Sequence, residues 1–451
     1  MDQWAAVIMA AGRGSRMQSN VPKVLHTVCG KEMILYSIER LSDAGITSLI
    51  VVVSESNYEP IKNVVGDGVE YVIQSDAKGT GGAVQTVLSV MESGVEHVLV
   101  HGADMPLVSE QSLRSLILSH TNDDHQITLL TSEIINSTDL GRILRNDQGD
   151  ILSIREASEI VDANDISSEV NLGTYCFTRG ILEDSLGRLN VKENGELYLT
   201  ELIEIGCAQN VRIGSVYASN TNESLGVNNR VQLSQVESVQ RKILLERLMI
   251  RGVTIRDPET VYVDADVNVG KDSTILPNTM ILGDTKIGTG CVVGPGSTIK
   301  DSVIGNDCRV NNSCIERSVV NENVEIGPYS HIREGCTIGS NAHIGNFVEM
   351  KETVFGEFSA AGHFSYLGDA DISGSVNIGA GTVTCNFDGE NKLKTVIGKG
   401  AFIGCDTMLI APVEIGAQAA TGAGSVVTRD IPTARLAFGV PARIVAEDKN
   451  N

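Results

Sequence analysis

The sequence predicts an α/β chain in which a mostly parallel sheet covered by helices is joined, through one linking helix, to a parallel β-helix of hexapeptides. Three observations carry this reading. From Trp4 to about residue 225, short apolar runs alternate with amphipathic stretches, the pattern of buried strands and the helices that cover them. From Asn228 to Arg251, Gln, Glu, Lys and Arg interleave with Val231, Val236, Val239, Leu244, Leu245 and Leu248, with no Gly or Pro inside, as expected of one continuous helix. After Pro258 an aliphatic residue returns at every sixth position. The expected division is therefore residues 1–227, a linking helix at 228–251, and 252–451.

In the first part, Ala6 to Met9, Leu49 to Val53 and Val98 to Val100 are the clearest buried strands, while Met33 to Ala44 and Ser109 to Ser119 have helical spacing. In the last part the period runs through Val263, Val269, Ile275, Ile281, Ile287, Val293 and Ile299, skips a place, and resumes at Ile304 and Val310. It continues from Ile326 to Met350, is interrupted, and returns from Ile397 to Ile415, with Thr421 and Val427 closing the series. A six-residue period fits neither a helix nor an ordinary strand; three hexapeptides make one triangular coil. Aliphatic side chains stacked from coil to coil bury an axial core without aromatics. This agrees with an aromatic content of only 4% beside 46 Gly.

Composition bounds the function. The 451 residues allow two to four domains, and 42% hydrophobic with 20% charged residues excludes a disordered or membrane-spanning chain. With 35 Lys and Arg against 57 Asp and Glu, the net charge of -22 argues against nucleic-acid binding. The nine Cys include no Cys-x-x-Cys pair, so neither a disulfide framework nor a zinc site is expected. With no cationic leader and no long apolar run, the expectation is a cytoplasmic protein that does not contact membrane.

The first strand runs into Met9-Ala10-Ala11-Gly12-Arg13-Gly14-Ser15-Arg16-Met17, followed by Pro22-Lys23. A glycine turn after a buried strand lets backbone N–H groups approach phosphates, and Arg13, Arg16 and Lys23 supply positive charge there. Met17 stands where a dinucleotide Gly-x-Gly-x-x-Gly loop would end in Gly. The segment instead resembles the Gly-x-Gly-x-Arg-Met…Pro-Lys signature of sugar-nucleotide pyrophosphorylases. Gln74 before Gly79-Thr80-Gly81, and Gly102-Ala103-Asp104 at the end of a buried strand, extend the pattern. A carboxylate at the carboxyl end of a parallel strand is a natural metal ligand.

Together with the hexapeptides, these residues resemble the bifunctional bacterial N-acetylglucosamine-1-phosphate uridylyltransferase/glucosamine-1-phosphate N-acetyltransferase family over nearly the whole chain. The resemblance implies a Rossmann-like nucleotidyltransferase domain and a left-handed β-helix. It implies that Met9, Ala10, Ala11, Gly12, Arg16, Lys23, Gln74, Gly79, Thr80, Gly102 and Ala103 serve the uridine nucleotide. Gly141, Glu156 and Asn171 would hold the sugar, and Asp104 with Asn228 would hold Mg²⁺. In the β-helix it implies His363 as general base and Arg333, Lys351, Tyr366 and Asn377 as ligands of glucosamine 1-phosphate. Ala380, Asn386, Phe387, Cys405 and Ala423 would line an acetyl-CoA groove.

The implied reactions acetylate glucosamine 1-phosphate with acetyl-CoA, then join N-acetylglucosamine 1-phosphate to UTP, releasing pyrophosphate, in a homotrimer that feeds peptidoglycan and lipopolysaccharide synthesis. Against the family pattern, Ala77 stands for Gln, Gly82 for His, Phe387 for Tyr and Cys405 for Ser. A nucleotidyltransferase whose β-helix only trimerises is the alternative; the residues present at 333, 351 and 363 argue against it.

Overall fold

The computed structural model describes residues 3–12, 14–76, 78–133, 140–159, 167–192 and 195–445. The chain forms two compact units, Met1–Gln240 and Arg241–Asn451, and one helix, Arg230–Ile250, runs through the division between them.

The first unit is built on strands β1 (Trp4–Met9), β2 (Ser48–Val53), β3 (Glu70–Ile73), β4 (His97–Gly102), β5 (Ile127–Glu133), β6 (Arg142–Arg145), β7 (Ile151–Arg155), β8 (Glu169–Thr178) and β9 (Ile213–Tyr217). Their order is β9-β5-β8-β4-β1-β2-β3, with the β6–β7 hairpin set against β8. β8 alone runs antiparallel to its neighbours β4 and β5 in that row. β1 shows why a near-continuous apolar run is needed at the centre. Trp4, Ala6 and Ile8 enter one buried cluster and Ala5 and Val7 the other, so both faces are covered. The helix expected at Ser109 to Ser119 spans Glu110–Asn122, and Ser109 is its cap, its side chain accepting from the Ser112 N–H.

Burial also sets a pH limit on this unit. The fully buried His101 in β4 is held by Ser37 Oγ (3.2 Å) and Thr174 Oγ1 (2.9 Å). Loss of solvation lowers its pKa to about 4 against the opposing pull of Asp104. His120 falls to about 4 for the same reason, with the charges of His97 and His125 added. Trp4 stacks on His97 at 4.8 Å and meets His120 edge-on at 5.6 Å. A histidine whose folded pKa is depressed binds its proton more readily unfolded, so its stabilising contribution is lost as pH falls from about 6.5 towards 4. Each of these two is expected to remove roughly 2 kcal/mol between pH 7 and pH 5. Urea unfolding followed by Trp4, the single tryptophan, checks this. Equal midpoints at the two pH values would contradict it.

The second unit is a three-sided β-helix. Its sheets hold 12, 10 and 9 strands. The first begins at Thr254–Ile255, the second at Tyr262–Val263 and the third at Asn268–Val269. Ile275 pairs with Val293, three hexapeptides on, and Val269 with Ile287, so the aliphatic positions stack along the axis. The places where the period lapses in the sequence remain coils. Ile315 and Val320 continue the core after Val310, and Phe355, Ala361, Leu367, Ile372 and Ile378 continue it after Met350, all buried. These steps are often five residues and carry Phe, Ala or, at Thr384, a hydroxyl, so the aliphatic rhythm vanishes while the stacking persists. The single large excursion lies between Val383–Cys385 and Thr395–Ile397. Small residues after the core positions are dictated by coil spacing. A Cβ at Gly345 would fall 1.8 Å from the Gly362 carbonyl oxygen of the next coil.

Candidate functional site

In the first unit the sites converge at the carboxyl ends of the central strands, where a parallel sheet presents its loops to ligands. A cleft of about 1000 Å³ is lined by Met9, Ala10, Ala11, Gly12, Arg16, Lys23, Gln74, Gly79, Thr80, Gly102, Asp104, Glu156 and Asn228, among others. A smaller cavity of about 230 Å³ shares Met9, Thr80, Gly102, Asp104, Glu156 and Asn228 with it and adds Gly141 and Asn171. Ala103 lines neither. Its methyl is fully buried in the core beneath β4, and its N–H donates to the Met9 carbonyl. Its part is to hold two strand ends together. Arg13 and Ala77 lie outside the described residues.

Each lining group has a local cause. The loop after β1 is anchored by the Asn57 Nδ2 donating to the Ala10 carbonyl at 2.8 Å. Gly79 opens the helix Gly79–Leu88 with φ +74, a conformation that favours glycine, and its carbonyl accepts from Gln74 Nε2. Asn228 arrives beside Asp104 because the Val227 N–H donates to the Asp104 carbonyl at 3.0 Å. Asn171 Nδ2 donates to Tyr175 Oη at 2.6 Å, and Thr200 Oγ1 donates to Glu156 Oε1 at 2.5 Å, fixing the walls of the smaller cavity. Sequence reasoning missed Ser54, Ser56 and Tyr198, which also line the cleft. For the two serines a signal existed, since they directly follow the buried strand β2.

At the junction of the two cavities Lys23 Nζ lies 2.5 Å from Asp104 Oδ2 and 3.3 Å from Asn228 Oδ1, and Arg16 Nη2 donates to the same Asn228 oxygen at 3.0 Å. Burial pushes the Asp104 carboxyl up, but the Lys23 charge and hydrogen bond outweigh it and hold it below the usual range. A carboxylate and an amide oxygen thus converge on one cationic position. An all-oxygen pair of this kind fits a hard divalent cation.

In the second unit the expected residues fall on three surfaces. Turns on the edge between the first and second sheets stack directly. The Gly381 N–H donates to the Phe364 carbonyl at 2.7 Å, Asp406 to Ala380 at 2.6 Å and Gly424 to Cys405 at 2.8 Å. His363, Ala380, Cys405 and Ala423 therefore form a ladder down one edge. The His363 side chain is exposed and makes no hydrogen bond among the described residues. On the outer face of the second sheet, register places Glu349 beside Tyr366 and Lys351 beside Gly368, one coil beyond Arg333; Arg333 Nη1 donates to Glu349 Oε1 at 2.8 Å. Asn386 is buried at the far edge of that sheet, donating to Tyr366 Oη at 3.4 Å and also to Asp369. Phe387 beside it is exposed, with Lys392 Nζ 4.6 Å over its ring. Asn377 belongs to the first sheet. Asn377 precedes the Ala380 turn of the ladder by three residues, whereas Asn386 and Phe387 follow the opposite end of the strand Val383–Cys385.

A nucleotide-sized cleft on a mostly parallel sheet, followed by a β-helix of hexapeptides with a histidine on its edge, defines a nucleotidyltransferase fused to a hexapeptide-repeat transferase. Family models agree: a MobA-like NTP transferase domain matches residues 6–136, a GMPPB C-terminal domain 258–355, and bacterial transferase hexapeptide (six repeats) 394–429. The bifunctional protein GlmU of Streptococcus agalactiae serotype V is 40% identical over 435 residues, covering 96% of this chain and 95% of its own. That of Exiguobacterium sibiricum is 41% identical over 434 residues, covering 96% of each. That of Caldanaerobacter subterraneus subsp. tengcongensis is 41% identical over 440 residues, covering 97% and 95%. The chain belongs to the bifunctional GlmU family, and its β-helix is of the left-handed hexapeptide type.

Proposed function

We propose that the two activities of this chain are divided between the cleft of the first unit and the edge and outer face of the β-helix. The chain is a bifunctional enzyme of UDP-N-acetylglucosamine synthesis, acting on small-molecule substrates as a nucleotidyltransferase and as an N-acetyltransferase. The observation that carries the assignment is the meeting of the larger and smaller cavities at Asp104 and Asn228.

UTP occupies the larger cavity. Its phosphates lie along the Met9 to Gly12 backbone and the helix that Gly79 opens, with Arg16 and Lys23 against the negative charge. N-acetylglucosamine 1-phosphate occupies the smaller cavity between Gly141, Glu156 and Asn171. Its phosphate oxygen attacks the α-phosphorus of UTP, and pyrophosphate leaves. Positioning and charge neutralisation suffice for such a transfer. Mg²⁺ held by Asp104 and Asn228 supplies part of that neutralisation when bound. Lys23 stands between the same two oxygens, so it exchanges them for phosphate when substrate enters.

In the β-helix, glucosamine 1-phosphate is held by Arg333, Lys351, Tyr366 and Asn377, and acetyl-CoA lies along the turn ladder of Ala380, Cys405 and Ala423, with Asn386 and Phe387 completing its groove. The amine attacks the thioester carbon, the C–N bond forms as the C–S bond breaks, and the nitrogen proton passes to His363. In this reading the acetyltransferase site is completed by neighbouring copies, in keeping with the oligomerisation expected of hexapeptide-repeat domains. Stacked Tyr329 and Phe347, 5.4 Å apart and both exposed, lie on the turns of that edge and suit a protein contact. A homotrimer is expected, and light scattering that shows a fully active monomer would remove the shared site. No helix among the described residues is long and apolar enough to cross a membrane, and a cytoplasmic location fits the substrates.

The direct test incubates purified protein with glucosamine 1-phosphate, acetyl-CoA, UTP and Mg²⁺ and follows free CoA and pyrophosphate separately. CoA release without pyrophosphate, or the reverse, would refute one half of the assignment.

A further inference from the structure

Outside the residues assigned above, one side-chain cluster combines the donors of a transition-metal site. Cys314 and Glu316 are the two ends of the short strand Cys314–Glu316, and Ile315 between them is buried in the axial core. Alternation therefore turns both outward on the second sheet. On the next coil His331 pairs with Cys314, and its Nε2 lies 3.1 Å from Glu316 Oε2. The Cys314 sulfur, a Glu316 oxygen and a His331 nitrogen all lie within 4.8 Å of one another, and all three residues are half-buried. Among the described residues the Cys314 thiol makes no hydrogen bond.

We propose that Cys314, Glu316 and His331 bind a borderline divalent cation of the zinc type, which ties two successive coils of the β-helix together. One sulfur, one nitrogen and one oxygen donor suit Zn²⁺ or Co²⁺ and disfavour Mg²⁺ and Ca²⁺, which take oxygen alone. Zinc needs donors about 3.3–3.6 Å apart around a tetrahedron, so the Glu316–His331 pair at 3.1 Å opens slightly while the sulfur, within 4.8 Å of both, settles at that spacing, with water in the fourth position. Loss of the thiol proton on binding leaves a thiolate and a carboxylate, whose charges balance the cation. Around the cluster, Thr298 lies beside Cys314, Lys300 and Arg333 beside Glu316, and Glu349 beside His331. Arg333 is already paired with Glu349, and Lys300 is exposed, so neither positive charge closes the site. The site uses no residue of the proposed acetyl transfer and stands independently of that reading.

The test is titration of the full-length protein with Co²⁺, following the thiolate-to-cobalt charge-transfer absorption in the near ultraviolet, and then displacement by Zn²⁺. The oxygen ligands Asp104 and Asn228 cannot produce that band. The expected result is a saturable band that Zn²⁺ abolishes, that is absent in Cys314→Ser, and that is weakened in His331→Gln and Glu316→Gln. A Cys405→Ser protein should retain it. Zn²⁺ should raise the melting midpoint of the parent protein and leave that of Cys314→Ser unchanged. Absence of the band in the parent protein, or its survival in Cys314→Ser, would overturn the proposal. Should Cys314→Ser fail to fold, an undiminished band in His331→Gln would do the same.

Discussion

His363→Ala is expected to lower acetyl transfer by roughly 10²- to 10⁴-fold, the usual worth of a positioned general base, while pyrophosphate release from UTP and N-acetylglucosamine 1-phosphate stays near the parent rate. The ammonium of glucosamine 1-phosphate cannot attack a thioester until it loses a proton, and an imidazole accepts one near neutral pH. The neighbouring alternatives are poorer. Tyr366 shares its hydroxyl with Asn386, Asp369 is engaged by Asn386, and Lys351 is better placed for phosphate. His363 tops the turn ladder with its ring exposed and unbound, so its removal leaves no buried group unsatisfied and should cost little stability. Free CoA measured with each substrate pair separately decides the matter. Full CoA release by a folded His363→Ala protein would make the imidazole a surface residue only.

Asp104→Ala is expected to abolish pyrophosphate release while CoA release from acetyl-CoA and glucosamine 1-phosphate persists. Asp104 contributes the charged oxygen of the pair that faces Lys23, and its carbonyl positions Val227 and hence Asn228. Only the side chain is removed, so the backbone link to Asn228 survives, and the lost function is that of the carboxylate. Lys23 is then left without its 2.5 Å partner in a half-buried place, a penalty that Asp104→Asn reduces. Both variants should be inactive in pyrophosphate release, with Asp104→Asn the more stable. Loss of both activities in a folded Asp104→Asn protein would show that the two units do not work independently.

Much of this architecture is legible in the sequence because its signals are local. Six-residue spacing names the coil, and a glycine turn after a buried strand, with Arg16 and Lys23 close behind, marks a loop that lines the cleft. The aliphatic spacing lapses after Val310 and again after Met350, yet Ile315, Val320, Phe355, Ala361 and Leu367 fill the core there. A coil shortened by one residue still stacks, because hydrogen-bonded neighbours set its position, yet it breaks the count on which a periodicity depends. The methyl of Ala103 turns into the core while Gly102 and Asp104 on either side line the cleft, a split that spacing along the chain does not show.

Taken alone, the sequence determined the two-part architecture, the glycine turn after the first strand and the residue types available for chemistry, because each is written in spacing along the chain. Which of those residues meet was decided only by the tertiary structure. Asp104 and Asn228 are joined by a hydrogen bond from Val227, and the ladder from His363 to Ala423 exists because successive turns stack. Cys314 lies beside His331 only because the intervening coil takes 17 residues rather than 18. The absence of a Cys-x-x-Cys pair said nothing against that cluster. In a β-helix neighbours are one coil apart, and a single added or lost residue changes which side chain stands opposite.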